Sequence, residues 1–172
     1  MQWSKLRMRV RALICPGLRD RIDFHVTRYR EATHFGTEAW VTLDGEKIFG
    51  AGHYHRFMPE CVEWYRRVPN LDSLPYPPVG LEPVRREIEA TLDAQQTHHT
   101  DQLVGAMRAY LDMPARAALQ SENPFLRALA IIDGRVGRRT LGRLEVNESE
   151  HSLVRRFYEL RVTATLAHQR HE

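Results

Sequence analysis

Long apolar runs, a signal-like leader and paired cysteines are all lacking in this 172-residue sequence. No run approaches the roughly 18 apolar residues of a membrane span, and the first residues contain no apolar block of the kind that a secretory signal needs. Cys15 and Cys61 are the only cysteines, and they form no C-x-x-C pair. We therefore expect a cytoplasmic protein with reduced cysteines, and a disulfide is the alternative.

Familiar catalytic and cofactor motifs are also missing. The sequence has no Gly-x-Ser-x-Gly, no phosphate-binding loop and no dinucleotide fingerprint. Gly50-Ala51-Gly52 lacks the Gly-Lys-Ser/Thr ending of a phosphate loop, so we expect a bend there. His53-x-His55 and His168-x-x-His171 each bring two imidazoles together, but a catalytic zinc needs three protein ligands. The sequence predicts neither a metal nor a cofactor.

Lysine is scarce, since Lys5 and Lys47 are the only two, so arginine carries most of the positive charge. The formal net charge of +3 is mildly basic. Arginine is the better bidentate reader of phosphate groups, although codon bias toward arginine would give the same composition. The hydrophobic fraction of 42% is enough for a core and too high for disorder.

The stretch Ile22–Phe49 carries the clearest structural pattern. Apolar and polar residues alternate over Ile22–Arg30 and over Thr37–Leu43, and Asp44-Gly45 leads into a third run, Glu46–Phe49. Alternation around an Asp-Gly dipeptide predicts antiparallel strands joined by a two-residue turn. One face of this sheet is apolar, and the other is a mixed face of His, Tyr, Trp and Thr.

Helical patterns surround these strands. Helices are predicted over Ser4–Ile14 before the sheet and over several segments after it, with Thr100 and Asn123 as N-caps and Pro124 at the first helical position. We expect an α+β fold in which a three-stranded antiparallel sheet follows an N-terminal helix and precedes a helical C-terminal region. One domain, 1–172, would comprise a sheet region over 1–68, a proline-rich connection over 69–80 and a helical region over 81–172.

The enzymatic candidate is His25-x-Thr27 in the first strand. Alternation places both side chains on one face, where a histidine could transfer protons and a threonine could donate to a phosphate oxygen. The pair is similar to half of the motif of the two-histidine phosphoesterases, whose mechanism needs a second His-x-Thr/Ser strand. No second copy occurs. A histidine covered by a helix is the alternative interpretation.

The binding candidates depend on charge. Residues 1–30 hold eight basic side chains against Asp20 and Asp23. If they converge with the later arginines beside Tyr29 and Trp40, they would form a positive surface for single-stranded nucleic acid. The candidate binding residues are Arg28, Tyr29, Arg30, Trp40, Arg135, Arg138 and Arg139. Equally, Arg127, Arg135 and Arg138 could pair with Asp133, Glu145 or Glu148 and connect helices.

Two further interpretations concern single helices. The basic amphipathic first helix could lie on anionic lipid or nucleic acid, or present a solvated face. Phe125 to Leu144 has the order of a helix-turn-helix, although two glycines and a weak second helix count against it.

Several short motifs are spread along the chain. They are the opening Met1-Gln2-Trp3-Ser4-Lys5-Leu6, Arg21-x-x-x-His25-x-Thr27-x-Tyr29-Arg30, Trp40-x-Thr42-x-Asp44-Gly45, Asn123 to Ala130, Asp133-x-Arg135-x-Gly137-Arg138-Arg139 and Leu153 to Tyr158. In these motifs the sequence resembles a family of small uncharacterised bacterial proteins with no known activity. The resemblance covers most of the chain and is weakest over residues 49–74.

Together these patterns favour a non-enzymatic binding or regulatory module whose partner is a protein or a nucleic acid. A hydrolase acting through His25 on a phosphorylated or nucleic-acid substrate is the alternative, so the sequence leaves open whether the protein is an enzyme. It also leaves open whether the protein forms homo-oligomers.

Overall fold

The computed structural model describes residues 1–28, 37–52 and 98–169. The predicted helices between residues 53 and 97, the proline-rich connection and Cys61 lie outside these residues. In the described part, helix α1 (Trp3–Leu13) and the short helix α2 (Pro16–Arg19) precede strands β1 (Ile22–Arg28), β2 (Thr37–Leu43) and β3 (Glu46–Gly52). Helices α3 (Thr100–Leu111), α4 (Ala115–Leu119), α5 (Pro124–Ile132), α6 (Arg138–Leu141) and α7 (Ser152–Gln169) follow.

The three strands form one antiparallel sheet in the order β1-β2-β3, as the alternation predicts. Asp44 and Gly45 both have positive φ, 51° and 88°, which is the backbone of a tight two-residue hairpin turn. β3 runs through Gly50-Ala51-Gly52, so the predicted bend at this tripeptide is wrong. Because Ala51 pairs with Ala39 and is buried, the strand continues to bury an apolar face to its end.

The apolar face of the sheet and the helices enclose one hydrophobic core. Ile22, Phe24 and Val41 face this core and are almost completely buried. All of α5 except Pro124 and Arg127 is buried, so this helix contributes to the core on most of its surface. Asn123 caps α5 as predicted, since its Oδ1 accepts from the backbone N–H groups of Phe125 and Leu126 at 2.9 and 3.2 Å.

The start of α3 differs from the prediction because the side chain of Thr100 binds elsewhere. His99, rather than Thr100, caps α3, since its Nδ1 accepts from the backbone N–H of Asp101. The Thr100 hydroxyl instead donates to the carbonyls of Thr37 and Ala51, which fixes α3 to the end of the sheet. Helix α5 ends at Ile132 because Asp133 adopts an extended backbone that bridges to Ile14.

Candidate functional site

The mixed face of the sheet brings together His25, Trp40 and Thr42. His25 pairs with Trp40 across β1 and β2, and the two rings stack with centroids 5.1 Å apart and planes 10° from parallel. His25 Nε2 lies 3.0 Å from Thr42 Oγ1. Thr27 is half-buried two residues along β1 and pairs with Glu38. The histidine is thus already engaged by two neighbours within the fold.

Lys47 approaches Trp40 from the side of β3. Its Nζ lies 5.9 Å from the centre of the indole ring, and the same ammonium forms an ion pair with Glu38. Gly50 pairs with Trp40, and a Cβ at Gly50 would lie 2.7 Å from Lys47 Cε, so this glycine makes room for the lysine. Since β1 and β3 flank β2 on opposite sides, His25 stacks on one side of the indole and Lys47 approaches from the other, which leaves less of the ring open to a nucleobase.

A second polar cluster lies inside the helical part. Asp133 is 1% exposed, and its Oδ2 accepts from the Tyr110 hydroxyl at 2.5 Å and from Arg135 Nη2 at 2.7 Å. Arg135 Nε and its backbone N–H also donate to the carboxylate, at 3.0–3.1 Å and 2.7 Å. Burial and the neighbouring Asp133 raise the pKa of Tyr110, and the hydrogen bond to Asp133 raises that of Arg135. The buried carboxylate is therefore fully satisfied, as a charge in a core must be.

This cluster fixes the start of an arginine-rich stretch, residues 134–143, which includes α6 and which we call the arginine segment. The backbone N–H of Gly134 donates to Leu13 O at 2.8 Å, and that of Cys15 donates to Ile132 O at the same distance. A Cβ at Gly134 would lie 3.4 Å from Cys15 Cα, so the close approach favours glycine. The segment is thereby joined to the corner between α1 and α2.

The arginine segment is strongly positive and exposed. It contains Arg135, Arg138, Arg139 and Arg143 and no acidic residue, and all four arginines are exposed. Only Arg135 forms an ion pair within the described residues, since the remaining three have none among 1–28, 37–52 and 98–169. Of the interpretations drawn from the sequence, pairing with Asp133 thus holds for Arg135, whereas Arg127 pairs with Glu150 at 2.9 Å.

The arginines near the N-terminus are largely engaged within the fold. Arg7 forms an ion pair with Asp23, and Arg11 approaches the same carboxylate at 3.8 Å. Arg21 pairs with Asp44 at 2.7 Å, and Arg19 donates to the carbonyl of Ile14. Arg28 ends β1 opposite Thr37, and Tyr29 and Arg30 lie outside the described residues. Four of the early arginines are thus bound within the fold, whereas Arg138, Arg139 and Arg143 have no ion pair among the described residues.

A family model matches residues 2–162, nearly the whole chain. The chain belongs to the SF0329 protein family. No curated protein matches the chain, and neither does any solved structure. Membership agrees with the resemblance seen in the sequence and assigns no reaction to any residue.

Other features of this SF0329 family member bear on particular functions. The second helix of the possible helix-turn-helix, α6, is only four residues long, and α5 is buried on almost every side, so neither presents a recognition helix. No helix in the described ranges combines the length and the apolar character of a membrane span. Within those same ranges, no three His, Cys, Asp or Glu side chains are grouped to hold a metal.

Sequence reasoning missed a third cluster, the histidine pair of His98 and His151. Their Nε2 atoms lie 2.7 Å apart, and the rings of Phe49 and Phe125 pack around them. His151 Nδ1 accepts from the backbone N–H of Leu153 and so caps α7. Burial first, then the charges of His98 and Arg155, lower the pKa of His151 to about 4. No local pattern pairs two histidines that are 53 residues apart.

Proposed function

We propose that the protein is a non-enzymatic binding module that binds nucleic acid through the arginine segment. The observation that carries the proposal is a run of exposed arginines without an intervening acid, of which Arg138, Arg139 and Arg143 form no ion pair within the described residues. Unpaired guanidinium groups are suited to phosphate because each presents several donors in a fixed plane. The proposed location is the cytoplasm, where the buried thiol of Cys15 stays reduced.

The residues around the arginine segment favour contacts with phosphate groups over contacts with bases. Trp40, the aromatic residue considered for stacking, is covered by His25 and Lys47. In the described part, segment 134–143 itself contains no aromatic residue. Contacts made only to phosphates fix position and carry little sequence information. We therefore expect binding that depends strongly on salt and weakly on sequence.

Matched double variants test the proposal. Arg138→Gln/Arg139→Gln removes two charges from the arginine segment, and Arg108→Gln/Arg116→Gln removes two exposed charges from α3 and α4. Fluorescence anisotropy with a labelled duplex and a labelled single strand at low salt should show about tenfold weaker binding for the first variant, because each lost phosphate contact removes counterion release. The second variant should bind like the wild type.

Two results would count against nucleic acid. Equal losses in both variants would indicate general attraction to a basic protein. No binding of either strand form by the wild type at low salt would leave a protein partner as the better explanation.

The alternative, a hydrolase using His25, gains less from the geometry. His98 and His151 do not lie beside His25, because they contact Phe49, which pairs with Val41 on the apolar face of the sheet. A hydrolase that used His25 would need a second proton-transfer group. Turnover of a phosphodiester substrate that is abolished by His25→Gln would establish this alternative.

A further inference from the structure

The His98–His151 pair has a single arrangement of protons that satisfies the contacts of the two rings with each other and with Leu153. The backbone N–H of Leu153 donates to His151 Nδ1 at 3.1 Å, so this nitrogen carries no proton. A neutral His151 must then be protonated on Nε2, which donates to His98 Nε2 at 2.7 Å. His98 accepts on Nε2 and carries its own proton on Nδ1. Such an arrangement also disfavours a metal, which would need the Nε2 lone pair of both rings.

Each added proton removes one of these contacts. A proton on His98 Nε2 would face the proton of His151 Nε2 across 2.7 Å. A proton on His151 Nδ1 would face the backbone N–H of Leu153 and remove the cap of α7. The pair can therefore gain a charge only by opening or by releasing the helix end.

The pair connects two parts of the fold. The carbonyl of His98 accepts from the backbone N–H of Gly52 at 3.1 Å, which places His98 at the junction of β3 and α3. His151 immediately precedes α7. We propose that this histidine pair is a pH-sensitive contact, which releases the start of α7 from the β3–α3 junction as the pH falls below about 6.5, the ordinary histidine range.

Charged groups on the neighbouring elements favour the neutral state. Arg155 on α7 is the cation that acts on His151. Glu150 precedes His151 but is engaged with Arg127 of α5, and Asp101 lies exposed at the start of α3. On β3 the neighbours are the Phe49 ring and the Gly52 backbone, and the charges of Glu38 and Lys47 pair with each other. In the described part, no carboxylate is thus placed to stabilise a protonated pair.

Amide hydrogen exchange on the intact protein tests the proposal. Below about pH 6.5, the protection of the Leu153 amide, corrected for intrinsic exchange, should fall by up to tenfold per pH unit. The Leu126 amide is the internal reference, because its cap, Asn123, does not titrate. Equal changes at both amides would overturn the proposal. So would ¹⁵N spectra showing His151 protonated on Nδ1 at neutral pH.

Paired variants separate the histidine contact from capping. His151→Asn keeps an oxygen acceptor for the Leu153 amide and removes the titrating ring. Its Leu153 protection should no longer decline with falling pH. His99→Asn makes the corresponding change at the other capping histidine, whose Nδ1 accepts from Asp101. This control should keep the wild-type decline at Leu153, and losing it would contradict the assignment. If His151→Asn does not fold, the wild-type exchange data decide alone.

Discussion

The mixed face of the sheet and the arginine segment differ in how far their polar groups are satisfied within the fold. On the sheet, His25 is held by Trp40 and Thr42, and Lys47 by Trp40 and Glu38. On the arginine segment, only Arg135 has a carboxylate partner among the described residues. A surface whose groups already bind one another has little left to offer a ligand. The comparison therefore favours packing for the sheet face and supports the proposal that the arginine segment is the binding surface.

Removing the Asp133 carboxylate should have the largest effect on stability, because this buried side chain anchors the arginine segment. Asp133→Ala leaves the buried Tyr110 hydroxyl without its acceptor and Arg135 without its partner. We expect a loss of about 3 kcal/mol in the free energy of unfolding, as for other broken buried pairs. Urea denaturation measures this change.

An exposed ion pair supplies the reference for Asp133. Asp44→Asn removes the partner of Arg21 at the hairpin turn, where both side chains are exposed and asparagine tolerates the positive φ. The urea midpoint should not change. A similar loss of unfolding free energy in Asp133→Ala and Asp44→Asn would contradict the expectation that the buried cluster contributes more stability than the exposed ion pair.

Truncating Trp40 should have an intermediate effect on the free energy of unfolding. It also tests whether the sheet face contributes to nucleic-acid binding. Trp40→Ala removes the stack on His25 and the contact with Lys47. We expect about 1–2 kcal/mol of destabilisation from the lost aromatic contacts and buried area. Affinity for nucleic acid should stay at the wild-type value. A folded Trp40→Ala protein with strongly reduced affinity would move the binding site to the sheet face.

The ion pair between Arg7 and Asp23 should give the smallest effect on stability, and its signature is the pH dependence of that stability at acid pH. Burial acts to raise the pKa of Asp23, but hydrogen bonds from Arg7 and from the Phe24 backbone lower it overall. A lowered carboxylate pKa contributes stability that is present above the unfolded value of about 3.9 and is lost as the pH falls through the folded value.

Melting temperatures measured from about pH 5 to pH 2 test this ion pair. The melting temperature of Asp23→Asn should decline less steeply than that of the wild type, because the variant has no carboxylate to protonate at this position. Asp112→Asn, at the exposed end of α3, is the control and should follow the wild type. Identical slopes for Asp23→Asn and the wild type would show that the pair contributes nothing.

Local patterns predicted the features of the fold that depend on neighbours in sequence. Alternation identified the three strands, Asp44-Gly45 the turn, and Asn123-Pro124 the start of α5. Gly50 and Gly52 suggested a bend because glycine weakens strands. At Gly50 the missing side chain instead leaves room for Lys47, which lies earlier in the same strand.

The site could be predicted only in part. Arg135, Arg138 and Arg139 were recognisable as a basic group, and the alternation placed His25 and Trp40 on the same mixed face. The partners that decide their roles come from distant sequence. Tyr110 reaches Asp133 only because α3 packs against α5, and Leu13 meets Gly134 because α1 ends beside α5. Such contacts are set by tertiary packing, which no local period reveals.

The most direct test of binding on the arginine segment is a chemical-shift titration of the ¹⁵N-labelled protein with a short DNA duplex at low salt. Binding on the arginine segment predicts the largest amide shifts in residues 134–143 and at the adjoining corner of α1 and α2. The amides of His25, Trp40 and Lys47 should shift little. Largest shifts at those sheet residues, with residues 134–143 unchanged, would contradict the account.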